Sequence, residues 1–186
     1  MDALVMCGGR GTRLEMGEKP LVEVGRKAMV DRVIGAVSPV VGTVHAAPSP
    51  HTPETRAHLA GRVPLVGTPG EGYVEDLTAA LAVIGRPVLT VTADLPLLRP
   101  ADVRAALDAY GSGSLTVGVP AERKRELGVS VDTSFEHEGR EIAPTGLNVV
   151  GDHGEAVRVL DRIGLAVNVN TCSDLEVASA VISERF

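Results

Sequence analysis

The stretch Cys7-Gly8-Gly9-Arg10-Gly11-Thr12-Arg13-Leu14, followed by Glu18-Lys19-Pro20, concentrates residues suited to holding phosphate. Glycine tolerates positive φ and puts no Cβ between a ligand and the backbone. Successive backbone N–H groups in such a loop form a nest for anionic oxygen. Arg10, Arg13 and Lys19 add three cations to the same neighbourhood, the charge that a triphosphate calls for. An ordinary glycine turn at a strand end is the plainer alternative, but a turn does not need three cations. Two other phosphate loops are excluded. A dinucleotide loop, G-x-G-x-x-G, would need glycine where Leu14 stands, and the P-loop pattern G-x-x-x-x-G-K-[ST] occurs nowhere in the chain.

Three later segments carry further candidates. Thr68-Pro69-Gly70-Glu71-Gly72-Tyr73-Val74-Glu75-Asp76-Leu77 is a glycine loop opening a helix. Gly70, Gly72 and Asp76 are candidates for a second wall of a nucleotide pocket, against the alternative of a strand-to-helix turn. Val88-Leu89-Thr90-Val91-Thr92-Ala93-Asp94-Leu95-Pro96 runs apolar and β-favouring residues up to a carboxylate. Ligands of open parallel sheets bind outside the carboxyl ends of the strands, where Asp94 falls; the alternative is a helix cap. Ile142-Ala143-Pro144-Thr145-Gly146-Leu147-Asn148-Val149-Val150 offers a glycine that lets an acceptor approach and the amide of Asn148, or else a bulge glycine in a plain strand. Arg123-Lys124-Arg125 reads first as a solvated charged face, with a rim meeting a phosphorylated acceptor as the alternative.

The elements that must position these residues follow from periodicity. Ala3 to Met6 is a short apolar run that reads as a buried strand feeding the first loop. Residues 21–24 read as a short extended piece, 28–37 as an amphipathic helix ended by Pro39, and 40–47 as a strand. A helix is predicted from Pro53 to about Ala60 with Thr52 as N-cap, and strands at 63–66 and 115–120. Further helices are predicted at 100–110 and 155–162, and a polar hairpin or flap over 132–141. A last strand is predicted at 165–171, followed by a helix from Asp174 to about Glu184 capped by Ser173. Alternating strands and helices predict an α/β fold with a mostly parallel central sheet and helices on both faces. The less regular second half predicts an antiparallel strand and an acceptor-side extension. The whole chain, 1–186, reads as a single domain.

Composition narrows the function classes. A net charge of −6 argues against broad nucleic-acid binding, which needs a positive footprint. No apolar run approaches the length of a membrane span, and no basic leader precedes the first strand, so a cytoplasmic protein is expected. Cys7 and Cys172 make no disulfide framework and no metal spacing. With aromatics at only 2%, the core must be built from Val, Leu, Ile and Ala.

The first loop with Glu18-Lys19-Pro20 resembles the signature of nucleotidyltransferases with a Rossmann-like, glycosyltransferase-A-type fold. That superfamily includes sugar-nucleotide pyrophosphorylases and molybdenum-cofactor guanylyl- and cytidylyltransferases. The opening Met1 to Met6, the G-x-G-Y-x-E-D-L run, the T-A-D-L-P run and the P-x-G-x-N-V-V run are most similar to the archaeal GTP:adenosylcobinamide-phosphate guanylyltransferases, in the same order along nearly the full chain. The resemblance implies GTP as substrate and a phosphorylated corrinoid as acceptor in cobalamin biosynthesis. It implies Arg13, Lys19 and Asp94 as catalytic groups, with Cys7, Gly8, Gly9, Arg10, Gly11 and Thr12 around the phosphates. It implies Mg²⁺ on Asp94 and, through the N-V-N-T-x-x-D-L run, on Asn170. A homodimer is compatible with it. Transfer to molybdopterin or a sugar phosphate, and a nucleotide-binding regulatory subunit without catalysis, remain open alternatives at the level of sequence.

Overall fold

The computed structural model describes residues 1–8, 14 and 16–184. After Asp2, strand β1 (Asp2–Met6) is apolar because both of its faces are covered. It pairs in parallel with β2 (Val44–Ala47) on one side and β3 (Val88–Thr92) on the other. Beyond β3 the sheet continues through β6 (Arg140–Val150), β4 (Ser114–Pro120) and β7 (Glu155–Val159), in the order β2-β1-β3-β6-β4-β7. Only β6 runs against its neighbours on this path, and β5 (Phe135–His137) forms a hairpin with it. The sheet is thus mostly parallel with one antiparallel insertion, as expected for the irregular second half.

The two faces are covered unequally. On one face, Ala3, Val5, Leu89, Val91, Leu147 and Val117 pack against helices α1 (Met29–Val37), α2 (Pro53–Leu59) and α4 (Pro100–Asp108), with α5 (Ala121–Glu126) and α6 (Ile163–Ala166) completing the layer. Met29, Val30, Val33 and Val37 recur at helical spacing, so α1 buries one stripe. On the other face, α3 (Tyr73–Ile84) packs Ala80 and Leu81 against Leu4, Met6 and Val88. Helix α7 (Cys172–Ser183) closes a third cluster with Val24, Met29, Val167 and Val169.

Several sequence expectations are corrected. Residues 155–159 form an edge strand, not a helix. Val157 and Val159 alternate with charged or small neighbours, a period-two pattern that suits parallel pairing with β4. The predicted strand at 165–171 begins instead as α6 and then runs without a ladder. Residues 63–66 make only an isolated bridge, Leu65 to Ala46. Lys19–Leu21 is a 3₁₀ turn with Pro20 at its start. Helix α7 is capped by Thr171, which accepts from the Asp174 N–H, rather than by Ser173. Helix α2 begins as expected after Thr52, but the Thr52 hydroxyl is turned to Ser49 and does not cap it.

Candidate active site

Asp94 lies just past the carboxyl end of β3, beside the end of β1: the Ala93 N–H donates to the Met6 carbonyl at 3.1 Å. The segment after α6 passes alongside, its Val169 N–H donating to the Asp94 carbonyl at 2.9 Å. Val167 and Val169 turn into the core, so Asn168 and Asn170, at the alternate positions, fall beside Asp94. Lys19, at the head of the 3₁₀ turn, donates from Nζ to Asp94 Oδ2 at 2.7 Å and to Asn170 Oδ1 at 2.6 Å. The other carboxylate oxygen, Oδ1, accepts from the Thr92 hydroxyl at 2.7 Å and from Asn168 Nδ2 at 3.1 Å. Burial alone would raise the Asp94 pKa, but the Lys19 charge and the three hydrogen bonds outweigh it and hold the carboxyl below its usual range.

Each residue here is itself positioned. Asp174 Oδ2 accepts from the backbone N–H of Asn170 and Thr171 at 2.9 and 2.8 Å, and Oδ1 accepts from the Ser130 N–H at 2.7 Å. Glu18, next to Lys19, accepts from the N–H groups of Glu54 and Thr55 at 2.8 and 2.6 Å, and from the Thr55 hydroxyl. It thereby supplies the cap that Thr52 does not, and ties the Lys19 turn to α2.

Asp94 joins two cavities. One, of about 190 Å³, is lined by Met6, Gly8, Lys19, Tyr73 and Thr92. It adjoins a cavity of about 320 Å³ between Gly8, Ser49, His51 and the Gly70–Tyr73 loop. Here Asp76 binds the Gly70 N–H at 2.6 Å, and a Cβ at Gly8 would lie 3.0 Å from Asp76 Oδ2. Gly8 and the predicted second wall therefore meet. The other cavity, of about 400 Å³, holds Gly146, Asn148, Asn168 and Asn170.

Of the sequence-predicted residues, Lys19, Asp94 and Asn170 form one cluster; Gly8, Gly70, Gly72 and Asp76 line the first pair of cavities; Gly146 and Asn148 line the last. Gly9, Arg10, Gly11, Thr12 and Arg13 lie outside the described residues. Cys7 is fully buried and its thiol is pushed up to about 12 by burial, so it packs rather than reacts. Gly146 has φ +84°, and a Cβ there would overlap Thr92 Oγ1, so glycine is required by Thr92. Ser49, His51 and Asn168 were not picked out. Ser49 and His51 follow β2, where the carboxyl-end rule would have found them.

Lys124 corrects the reading of Arg123-Lys124-Arg125 as a solvated face. Helix α5 turns its middle lysine inward, where it is 4% exposed and donates to Asn168 Oδ1 at 2.9 Å. Its two neighbours pair on the surface with Glu126 and Glu141.

The family model for the MobA-like NTP transferase domain matches residues 3–170, and the chain belongs to this family of nucleotidyltransferases. It is 30% identical, over 203 aligned residues, to the adenosylcobinamide-phosphate guanylyltransferase of Methanocaldococcus jannaschii, with 99% of this chain and 98% of that protein covered. Among solved structures it resembles CMP:2-keto-3-deoxy-manno-octonic acid synthetase complexed with CTP, with a TM-score of 0.72 and 15% identity over 100% of this chain and 99% of that one. It also resembles a hypothetical transferase from Thermus thermophilus, with a TM-score of 0.63 and 24% identity, covering 81% of this chain and 64% of that one. The two structures speak for the fold. The motif resemblance is borne out by the family match, and no described helix is long and apolar enough to cross a membrane.

Proposed function

We propose that the chain transfers GMP from GTP to adenosylcobinamide phosphate, giving adenosylcobinamide-GDP and pyrophosphate. The acceptor is suggested by the full-length similarity to the Methanocaldococcus jannaschii guanylyltransferase. The observation that carries the reaction class is the position of Asp94, with Lys19 and Asn170, where a glycine-walled cavity meets a second cavity.

In this reading the Gly8 loop with Arg13 and Lys19 takes the triphosphate, and the Gly70–Tyr73 loop takes the base. An acceptor phosphate oxygen attacks the α-phosphorus, a P–O bond forms, and the α–β bridging bond breaks with its electron pair leaving on pyrophosphate. A phosphate oxygen is already a nucleophile, so no general base is needed. Positioning and charge neutralisation carry the reaction. Lys19 neutralises charge growing on the leaving pyrophosphate.

Asp94 Oδ2 and Asn170 Oδ1 converge on one cation, the Lys19 ammonium. Two hard oxygens converging on a positive charge fit Mg²⁺, which binds through one or two carboxylates and fills its shell with phosphate oxygens and water. Asp94 and Asn170 would hold it, and when bound it would supply further neutralisation of the phosphates. Lys19 would then turn to the triphosphate.

The test is pyrophosphate release from a panel of nucleoside triphosphates paired with adenosylcobinamide phosphate, molybdopterin and sugar phosphates. Release with GTP and adenosylcobinamide phosphate is expected. Preference for another acceptor would overturn the substrate assignment, and GTP binding without transfer to any acceptor would favour a regulatory subunit.

A further inference from the structure

Lys124 is a buried ammonium whose single hydrogen-bond acceptor among the described residues is Asn168 Oδ1. An ammonium carries three donors, so two are left without an acceptor there. It is also the only cation among the described residues lining the cavity that holds Gly146 and Asn148. Burying a charge is costly unless something compensates it. Asp94, Asp132 and Asp174 supply opposing charge nearby, yet burial still outweighs them and lowers the Lys124 pKa.

We propose that this cavity receives the phosphate monoester of the acceptor and that the Lys124 ammonium contacts it directly. The inference rests on the reading of the chain as a transferase acting on a phosphorylated acceptor, and adds the residue that recognises the phosphate. Asp94 is shared by the cavity of Lys19 and the cavity of Lys124. An in-line displacement sets the attacking oxygen and the leaving group on opposite sides of phosphorus. With the triphosphate on the Lys19 side, the attacking phosphate arrives from the Lys124 side. Inside a cavity the ammonium acts on a phosphate dianion more strongly than it would in water.

A purely structural role is the competing account. Asn168, held by Lys124, donates to Asp94 Oδ1 at 3.1 Å and to the Thr145 carbonyl at 2.9 Å, so Lys124 could serve only to orient Asn168. Two variants separate the accounts. Lys124→Gln keeps a donor for Asn168 without the charge, and Lys124→Met removes both.

The experiment measures two affinities on the full chain: that for GTP, and that for adenosylcobinamide phosphate in the presence of a GTP analogue not cleavable between the α and β phosphates. Both variants are expected to weaken acceptor binding roughly ten- to hundredfold, the scale of one lost charge-assisted hydrogen bond. GTP affinity should stay at the wild-type value, which also shows that the variants are folded. Wild-type acceptor affinity in Lys124→Gln, or equal losses for GTP and acceptor, would overturn the inference. Turnover by the wild type is scored separately. If it transfers GMP to adenosylcobinamide phosphate and the variants bind acceptor normally, the function stands and the role of Lys124 falls. If the wild type does not use this acceptor, the acceptor assignment falls, and broadening of the inorganic phosphate ³¹P signal decides the rest. Broadening by wild type but by neither variant supports a phosphate site at Lys124; the same signal for all three proteins overturns it.

Discussion

Lys19 Nζ sits 2.7 Å from Asp94 Oδ2, a contact between residues 75 positions apart that brings the 3₁₀ turn carrying Lys19 onto the end of the central strand β3. The same nitrogen reaches Asn170 Oδ1, so one ammonium occupies the point on which both proposed metal-ligand oxygens converge. Both partners of the ion pair are largely buried, at 22% and 17% side-chain exposure, which strengthens the pair relative to a surface one. In the proposed mechanism Lys19 would therefore have two tasks that compete: holding Asp94 before substrate arrives, and neutralising phosphate afterwards.

From that competition, Lys19→Met should bind Mg²⁺ more tightly than wild type in the absence of nucleotide, because the competing cation is gone. Without metal it should melt earlier, by about 2–4 °C for each kcal/mol lost in a chain of this size. Added Mg²⁺ should restore more of the melting temperature in the variant than in wild type. Turnover should nonetheless fall by ~100- to 1,000-fold, the typical loss for one preorganised charge contact. Melting curves with and without Mg²⁺, beside steady-state rates, check all three; no metal-dependent gain in the variant would remove Asp94 and Asn170 as metal ligands.

Asp94→Asn should lower turnover more than it weakens GTP binding. The amide oxygen can still accept from Thr92 and Asn168, but the group is neutral and turns an NH₂ toward Lys19 in place of the carboxylate oxygen. A loss of ~100- to 1,000-fold in kcat is expected, with a higher Mg²⁺ requirement. Full activity at limiting Mg²⁺ would argue against a metal role for Asp94.

Gly146→Ala should damage catalysis through Thr92. The position has φ +84°, and the added methyl would overlap the Thr92 hydroxyl, which donates to Asp94 Oδ1. Strain of about 1–3 kcal/mol is expected, with kcat reduced and Mg²⁺ dependence altered, not acceptor affinity alone. The sequence offers Gly146 as a glycine that lets an acceptor approach or as a bulge glycine; a Cβ there would meet Thr92 first. Adding Thr92→Ala, which removes the clashing hydroxyl, should recover part of the stability lost.

The β1 strand and the T-A-D-L-P terminus were legible because each is local: an apolar run or a carboxylate at a strand end follows directly along the chain. The Lys19–Asp94–Asn170 cluster was legible in its members but not in its geometry, since nothing in the sequence says that a lysine stands between the two side-chain oxygens. The burial of Lys124 was hidden for a different reason. Three consecutive cations look uniform, and only the docking of α5 against β4 and β6 decides which one turns inward. The 155–159 strand was misread because an exposed edge strand carries charges as a surface helix does, and its partner β4 lies 41 residues earlier in the register Ser114 to Glu155.

Acid should unfold the protein through Asp94 and Asp174. Burial opposes the ionisation of both, and in both it is outweighed: by Lys19 and three hydrogen bonds at Asp94, and by backbone and hydroxyl donors at Asp174. Folded-state values below the unfolded one mean that the unfolded chain takes up protons first as pH falls. The stabilisation is complete above an unfolded value of about 4 and is lost on descending through the lowered folded values. Urea midpoints should be flat in this respect from pH 7 to 5 and drop below about 4. Asp174→Asn should flatten that drop, because one of the two linked groups is gone.

Glu18→Gln tests whether the turn that carries Lys19 is positioned from outside. The Glu18 carboxylate takes the Glu54 N–H on one oxygen and the Thr55 N–H and hydroxyl on the other. These are donors of the first turn of α2, which have no partner within the helix. A carboxylate there also meets the positive end of the helix. A glutamine offers one carbonyl oxygen and a competing amide N–H, so one helix donor loses its acceptor and the charge is lost with it. The stability cost should be about 0.5–2 kcal/mol, as for removing an N-cap. Because Glu18 immediately precedes Lys19, release of this anchor should also lower kcat while leaving Pro20 packed. Thr55→Val, which removes only the hydroxyl bond, should cost less in both measurements. If Glu18→Gln lowers the melting temperature but turns over at the wild-type rate, Glu18 serves α2 alone, and the 3₁₀ turn holds Lys19 against Asp94 without it.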